Sequence, residues 1–268
     1  MPQAPQRVGT ELLDQIAAVA KQIAELIGPL PTTGIAIPGA SWTVGEAAAH
    51  LALSNQLMAA IAGGRPSPYG DGTKAGLADA NAQSLAEYTE REAAVLAEQV
   101  TLHAEAFIQA ARLRPGTDVV DTPMGPLPLS VLSAYMLAHS LSHGSAIASA
   151  LRQAPLVQPR QVELVLPFIV ATMPRLVDRA GVGDLRAAFE LRIRGVARLT
   201  ALVADGAVTI SEQPQHRADC VISVDPVSFF LLAAGLTGQW SLVARGKLRV
   251  WGRRPWLAPR FPRFFAIP

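Results

Sequence analysis

Apolar residues recur with helical spacing over the first two thirds of the chain, from residue 10 to about residue 180. The first apolar stripe ends at the helix-breaking pair Gly28-Pro29 and consists of Leu12, Ile16, Val19, Ile23 and Leu26. Four more helices are predicted: from Thr43, from about Asp79 to Arg114, around residues 134–151 and, kinked by internal prolines, over residues 159–180. This pattern predicts a helical bundle.

The spacing changes at about residue 185 to the alternation that is typical of strands. Asp205-Gly206 is a strong signal for a hairpin turn. A helix in "PVSFFLLAAGL" and a strand in "GKLRVWG" follow four strand-like segments, "AAFELRIRG", "ARLTALVAD", "AVTISEQ" and "DCVISVD". The predicted fold class is therefore α plus α+β, with a helical bundle at residues 1–182 and a small α+β domain at residues 183–268.

The composition of the chain indicates the cellular compartment in which the protein is expected. Half of the 268 residues are hydrophobic, which is enough for a sizeable core, and Cys220 is the only cysteine, so no internal disulfide forms. The first residues lack an apolar signal segment, and Pro167 and Pro174 interrupt the most apolar run of the chain. We therefore expect no transmembrane segment and a cytoplasmic location.

The net charge of +2 is unevenly distributed. The first 225 residues hold 16 basic and all 21 acidic side chains and carry −5, whereas the last 43 residues hold seven basic and no acidic side chains. Aromatic residues such as Trp251 and Trp256 are interspersed among these arginines, a composition that can bind nucleic acid or an anionic surface. The sequence shows no nucleic-acid-binding motif, so we expect no nucleic acid partner.

Two histidines interrupt the apolar face of the helix predicted around residues 134–151. His139 and His143 are four residues apart, so their side chains share one helix face, with Cβ atoms about 6 Å apart. They occupy positions where the apolar stripe would otherwise continue. Burial of two unpaired imidazoles is costly, and a shared metal ion would satisfy both.

A third histidine lies on the buried stripe of another helix. Thr43 and Glu46 form a capping box that fixes the start of that helix, and His50 follows just under two turns later among alanines. Three neutral imidazoles from two helices can hold Zn²⁺ with one position left open. The alternative is that these are core histidines bonded to backbone carbonyls.

The two remaining histidines are less informative. His103 also lies on an apolar stripe, and it is either a fourth ligand, a substrate contact or a satisfied core histidine. His216 stands in a polar segment and is expected to be a solvated loop residue.

Two segments of the first half carry a resemblance to a known family. "PGASWTVGEAAAHLA" and "AHSLSHGSAIASAL" resemble the mycothiol-dependent maleylpyruvate isomerase family, within the DinB-like metal-binding bundles, and "LADANAQSL" also fits. The resemblance covers roughly residues 8–180 and implies that His50, His139 and His143 are the metal ligands. The isomerases often have Glu in place of His139, and an Asp of the family motif is replaced here by Ala146, so the metal site is better supported than isomerisation.

The second half resembles the sterol-carrier-protein-2-like domain. The resemblance lies in "DPVSFFLLAAG", where an Asp precedes a helix, and in the glycine-flanked strand "GKLRVWG". It implies a tunnel for a lipid or another apolar ligand. An α+β packing module without a ligand is the alternative.

The resemblance implies a metal-dependent enzyme that activates a low-molecular-weight thiol, mycothiol, for isomerisation or S-transfer on a small electrophilic substrate. The implied cofactor is a divalent metal, Zn²⁺. Two alternatives remain open: a metal-dependent hydrolase that ionises water at the same site, and a non-catalytic metal- and lipid-binding protein. Arg65 is a candidate for holding a carboxylate of the substrate, or else an ordinary surface arginine. The sequence does not identify the electrophile or the oligomeric state.

Overall fold

A computed structural model describes residues 7–65, 67–71, 73–212 and 217–265, although not the side chain of Lys74. The chain divides into two compact units, Met1–Leu156 and Val157–Pro268. The contacts of the segment after Leu156 assign it to the second unit, whereas the sequence pattern placed the boundary between residues 182 and 183. The boundary between functional domains stays a prediction.

The described part of the first unit is a bundle of helices. They are α1 (Thr10–Ile27), α2 (Val44–Ala62), α3 (Lys74–Glu87), α4 (Ala93–Arg112) and α5 (Leu129–Ala150). Helix α4 packs against α1 and α2, and α5 packs against the same two helices. Four residues of the apolar stripe predicted on α1 are buried in the core of this bundle, namely Leu12, Ile16, Val19 and Ile23. The fifth, Leu26, is only half-buried.

The single helix predicted from Asp79 to Arg114 is wrong, because the chain breaks it between α3 and α4. Tyr88 is extended at the end of α3. The guanidinium of Arg91 donates to the carbonyls of Leu85, Tyr88 and Glu90, and the carboxylate of Glu90 accepts from the backbone N–H of Arg91. Polar side chains thus form hydrogen bonds with backbone groups that lack helical partners at the break. The helical spacing of apolar residues continues on both sides, so the sequence pattern gives no sign of the break.

A short hairpin, which the sequence pattern did not predict, precedes α5. Strands β1 (Val119–Thr122) and β2 (Gly125–Pro128) pair antiparallel. The Thr122 hydroxyl donates to the carbonyl of Gly125, and Gly125 has a φ of 90°, which glycine adopts without strain. The turn is therefore specified by Thr122 and Gly125, and the alternation of apolar and polar residues that predicts longer strands does not reveal it.

The second unit begins with the broken helix predicted over residues 159–180. It consists of α6 (Pro159–Thr172), a 3₁₀ turn (Met173–Leu176) and α7 (Arg179–Val182). Pro167 lies inside α6, and Pro174 lies in the 3₁₀ turn that ends it. Later in the chain, α8 (Pro226–Ala233), α9 (Gln239–Ala244) and a 3₁₀ segment (Pro255–Phe264) complete the helices that the structure describes here.

A mixed five-stranded sheet lies between these helical segments in the chain. Its strands are β3 (Ala187–Ile193), β4 (Ala197–Ala204), β5 (Ala207–Ser211), β6 (Cys220–Val224) and β7 (Leu248–Trp251). The order is β5-β4-β3-β6-β7; β3 and β6 are parallel, and every other pair is antiparallel. Asp205 and Gly206 both have positive φ, which confirms the predicted hairpin turn.

One face of the sheet is covered by aromatic packing within the same unit. The ring of Phe189 lies 5.0 Å from that of Phe261 and 5.7 Å from that of Phe264, measured between centroids. A helical bundle followed by a mixed sheet with helices confirms the predicted fold class. None of the described helices has both the length and the hydropathy that crossing a bilayer requires.

Candidate metal centre

Helix α2 carries the first of the three candidate ligands. The hydroxyl of Thr43 accepts from the backbone N–H of Glu46 at 3.2 Å, and the Glu46 carboxylate accepts from the backbone N–H of Thr43 at 2.7 Å. This is the predicted capping box, and it fixes the first turn of α2. His50 follows in the second turn and is 7% exposed, flanked by fully buried Ala49 and Leu51.

Helix α5 carries the other two ligands on one face. His139 and His143 are half-buried and lie next to the buried small residues Ser140 and Gly144. An added Cβ on Gly144 would meet Ile23 of α1 at 2.8 Å, so α1 and α5 approach closely at this point. The close packing fixes α5, and with it the positions of both imidazoles.

The structure brings the three predicted histidines together. The Nε2 atoms of His50 and His139 are 3.1 Å apart, and one ring nitrogen from each of His50, His139 and His143 lies within 4.8 Å of the others. The three ring centroids are separated by 4.5 to 5.0 Å. Among the residues that the structure describes, no second group of three such side chains converges in this way.

This arrangement fits a divalent metal ion. Two Zn–N bonds of about 2.0–2.1 Å at a tetrahedral angle place the two nitrogens about 3.3 Å apart, close to the distance observed between His50 and His139. The donor set consists of three nitrogens, which suits Zn²⁺ and leaves a tetrahedron one ligand short. An open position of this kind is a feature of reactive metal sites.

Burial keeps the three imidazoles neutral. Desolvation lowers the pKa of His50 to about 3 and that of His143 to about 4, and the neighbouring imidazole adds to the shift of His50. The pKa of His139 is lowered well below 6.5, first by desolvation and then by the other two histidines. All three side chains therefore offer a lone pair at neutral pH, the form in which histidine binds metals.

Two aromatic residues that the sequence pattern did not single out border the histidines. The Trp42 ring stacks on His143 at 5.8 Å between centroids and lies 4.9 Å from His50. Tyr135 lies one turn before His139, with its ring 5.4 Å away, and desolvation raises its pKa. The spacing of four residues from His139 was the available signal for Tyr135.

The other candidates from the sequence lie apart from this cluster. His103 is half-buried on α4 and is not part of it. Arg65 is exposed just beyond the end of α2, and the helix rise separates the two ends of the segment from His50 to Ala62 by about 18 Å. This geometry does not favour the predicted contact of Arg65 with a substrate at the histidines.

His216 falls outside the described residues. Cys220 is buried, and burial raises the pKa of its thiol to about 11.

The close approach at Gly144 leads to a stability prediction. The added methyl group of Gly144→Ala would contact Ile23 and Leu156 at 2.8–2.9 Å, and overpacking of this kind costs about 1–3 kcal/mol. The gain in helix propensity offsets about 1 kcal/mol, so we expect a net loss of about 1 kcal/mol in the free energy of unfolding. Urea unfolding of the variant and the wild type measures this difference in the free energy of unfolding. Ser149→Ala, at an exposed position of α5, is the control and should not destabilise. A Gly144→Ala protein as stable as wild type would contradict the close contact.

Comparisons with known proteins identify a shared fold. No protein-family model and no curated protein sequence matches the chain. Twenty-two chains of solved structures are similar. The mycothiol-dependent maleylpyruvate isomerase superposes with a TM-score of 0.54 and 15% identity, over 85% of this chain and 90% of that chain. A histidine-to-alanine variant of this isomerase gives 0.54 and 12% identity, over 85% and 89% of the two chains.

Partial matches involve sterol carrier proteins. The apo form of sterol carrier protein 2 from Yarrowia lipolytica matches with a TM-score of 0.26 and 18% identity, over 32% of this chain and 85% of that chain. A UbiJ-SCP2 ubiquinone synthesis protein gives 0.30 and 16%, over 37% and 94%. These scores are too low to support an argument. The structure thus shares the fold of the maleylpyruvate isomerase, at an identity that shows the fold alone.

Proposed function

We propose that this protein is a metal-dependent enzyme that activates a low-molecular-weight thiol, mycothiol, for isomerisation or S-transfer on a small electrophilic substrate. The observation that carries the proposal is the convergence of three neutral imidazoles in a donor set one ligand short of a tetrahedron. The fold shared with an isomerase that is named as mycothiol-dependent supports the choice of thiol. The single, buried Cys220 is consistent with a reducing cytoplasm.

The histidines determine the charge of the site. Because His50, His139 and His143 are all neutral, they hold a divalent cation without reducing its charge of +2. A Zn²⁺ ion held there supplies the positive charge that favours a thiolate over a thiol. Trp42 places an apolar ring against two of the imidazoles. Tyr135 presents a phenol ring to His139, 5.4 Å away between centroids.

Cobalt substitution tests whether a thiol binds at the metal. We expect the Co²⁺-loaded protein to develop a sulfur-to-metal charge-transfer band in the near ultraviolet when mycothiol is added. S-methylated mycothiol, which has no thiol proton to lose, is the matched control ligand and should leave the spectrum unchanged. If millimolar mycothiol also leaves the spectrum unchanged, thiol activation is wrong, and ionisation of water in a hydrolase becomes the better account of the site.

A further inference from the structure

The second unit carries a row of arginines on one face of its sheet. The strand register pairs Arg192 of β3 with Arg198 of β4 and with Ser223 of β6, and it pairs Ser223 with Arg249 of β7. Side chains of paired residues lie on the same face, and neighbouring strands are about 4.8 Å apart, so the row spans about 14 Å. This face is opposite the one that buries Leu191.

A pocket of about 560 Å³ opens beside this row. It is lined by the turn between β3 and β4 with its flanking residues, 193–197, which include Arg194, and by Arg192, Arg198, Ser223 and Trp251. It is an open concavity on this face of the sheet and not an enclosed cavity. Trp251 is 42% exposed, which leaves much of a large aromatic ring available for contact.

One side of this pocket is held in place before any ligand arrives. The carboxylate of Glu190 accepts two hydrogen bonds from the guanidinium of Arg192, at 2.6 and 3.1 Å. The same guanidinium lies over the ring of Trp251, 5.1 Å from its centroid. Glu190, Arg192 and Trp251 therefore form a wall of limited rotamer freedom, and such preorganisation favours binding.

The charges in and around the pocket do not cancel. Glu190 pairs with Arg192, and the Asp225 carboxylate lies 3.8 Å from the guanidinium of Arg194. Arg198 is exposed, and within the described part of the chain it has neither an ion-pair partner nor a hydrogen-bond partner for its side chain. The same holds for Arg249, at the other end of the row. The excess is positive, and the unpaired guanidinium of Arg198 lines the pocket itself.

We infer that this pocket binds a small aromatic anion, a flat ring that carries a phosphate or carboxylate group. Arg198 contacts the anionic group, since a free guanidinium donates two parallel hydrogen bonds to either group. Trp251 contacts the ring by stacking. Ser223, at the floor of the row, adds a hydroxyl that either donates or accepts. The pocket uses none of the three histidines, so this inference is independent of the metal site.

Isothermal titration calorimetry of the full chain with phenyl phosphate tests the inference. We expect a dissociation constant of about 1 mM or below at low ionic strength, from the efficiency of small ligands. Inorganic phosphate lacks the ring and benzyl alcohol lacks the charge, and each should bind at least about tenfold more weakly. Arg198→Gln and Trp251→Leu should each weaken the binding of phenyl phosphate about tenfold, and Arg198→Lys should lose less.

Two matched control variants distinguish binding in the pocket from non-specific attraction by the positive charge of the C-terminal segment. Arg260→Gln and Trp256→Leu remove the same charge and the same ring from exposed residues that do not line the pocket, and neither should change the affinity. Metal-free protein should bind phenyl phosphate as tightly as metal-loaded protein.

Three outcomes would overturn the inference: no binding at millimolar phenyl phosphate, an equal loss in Arg260→Gln and Arg198→Gln, or binding that requires the metal. Inorganic phosphate binding as tightly as phenyl phosphate would overturn the role given to the ring. Thermal melts of each variant establish that it is folded, so that a loss of binding reports on the pocket.

Discussion

Replacing His139 or His143 with alanine should remove most of the metal from the protein, whereas the wild type should retain about one divalent ion per chain after dialysis. The reason is geometric, because the three ring nitrogens lie within 4.8 Å of one another and each variant leaves only two donors. Loss of an outer-shell partner alone commonly costs 10–100-fold in metal affinity, so loss of a ligand should cost at least about 100-fold. Elemental analysis after dialysis against buffered Zn²⁺ measures the metal content.

His103→Ala is the matched control for this measurement. It removes the same side chain from a half-buried helical position outside the cluster, so its metal content should equal that of the wild type. Equal metal content in all four proteins, or none in any of them, would show that the three histidines do not form a metal centre.

The sequence could predict those parts of the site that depend on local structure. Thr43 and Glu46 specify a capping box within four residues, and the structure contains it. The spacing of His139 and His143 specifies that they share a face of α5, because helix geometry alone relates residues four apart. The convergence of His50 with them followed from an assumed packing of α2 against α5, and the structure confirms that these helices pack together.

Features that depend on distant parts of the chain could not be predicted in this way. The break at Arg91 is stabilised by side-chain bonds to backbone carbonyls, and Thr33, 58 residues away, donates to the carbonyl of Arg91. Helical spacing carries no information on such contacts. The aromatic neighbours of the histidines could not be predicted for the same reason, since Trp42 contacts His143 only when the segment before α2 packs against α5. The parallel pairing of β3 with β6 likewise joins strands that are not consecutive.

Metal-free protein should lose stability steeply as the pH falls below 6.5. The pKa of an exposed histidine in the unfolded chain is about 6.5, whereas burial holds that of His143 at about 4 and that of His50 at about 3 in the folded state. Between these values the unfolded chain binds protons that the folded protein does not. The stabilisation is therefore complete above pH 6.5 and is lost as the pH falls through about 4.

The expected slope follows from the number of protons involved. Three histidines that protonate only on unfolding change the free energy of unfolding by up to about 4 kcal/mol per pH unit. Urea unfolding of metal-free protein between pH 6.5 and 5 measures this slope above the range in which most carboxylates titrate. His139→Asn should reduce the slope by about a third, whereas His103→Asn, at a less buried position, should change it less.

Metal-loaded protein should be more stable than metal-free protein throughout this range. Free Zn²⁺ at a thousand times its dissociation constant raises the free energy of unfolding by about 4 kcal/mol, because the ion binds the folded site and not the dispersed imidazoles of the unfolded chain. The His139→Asn variant, which keeps only two of the three donors, should lose most of this increment, and His103→Asn should keep it. A flat dependence of stability on pH in the metal-free wild type, together with no response to Zn²⁺, would show that the three imidazoles do not behave as a buried, neutral donor set.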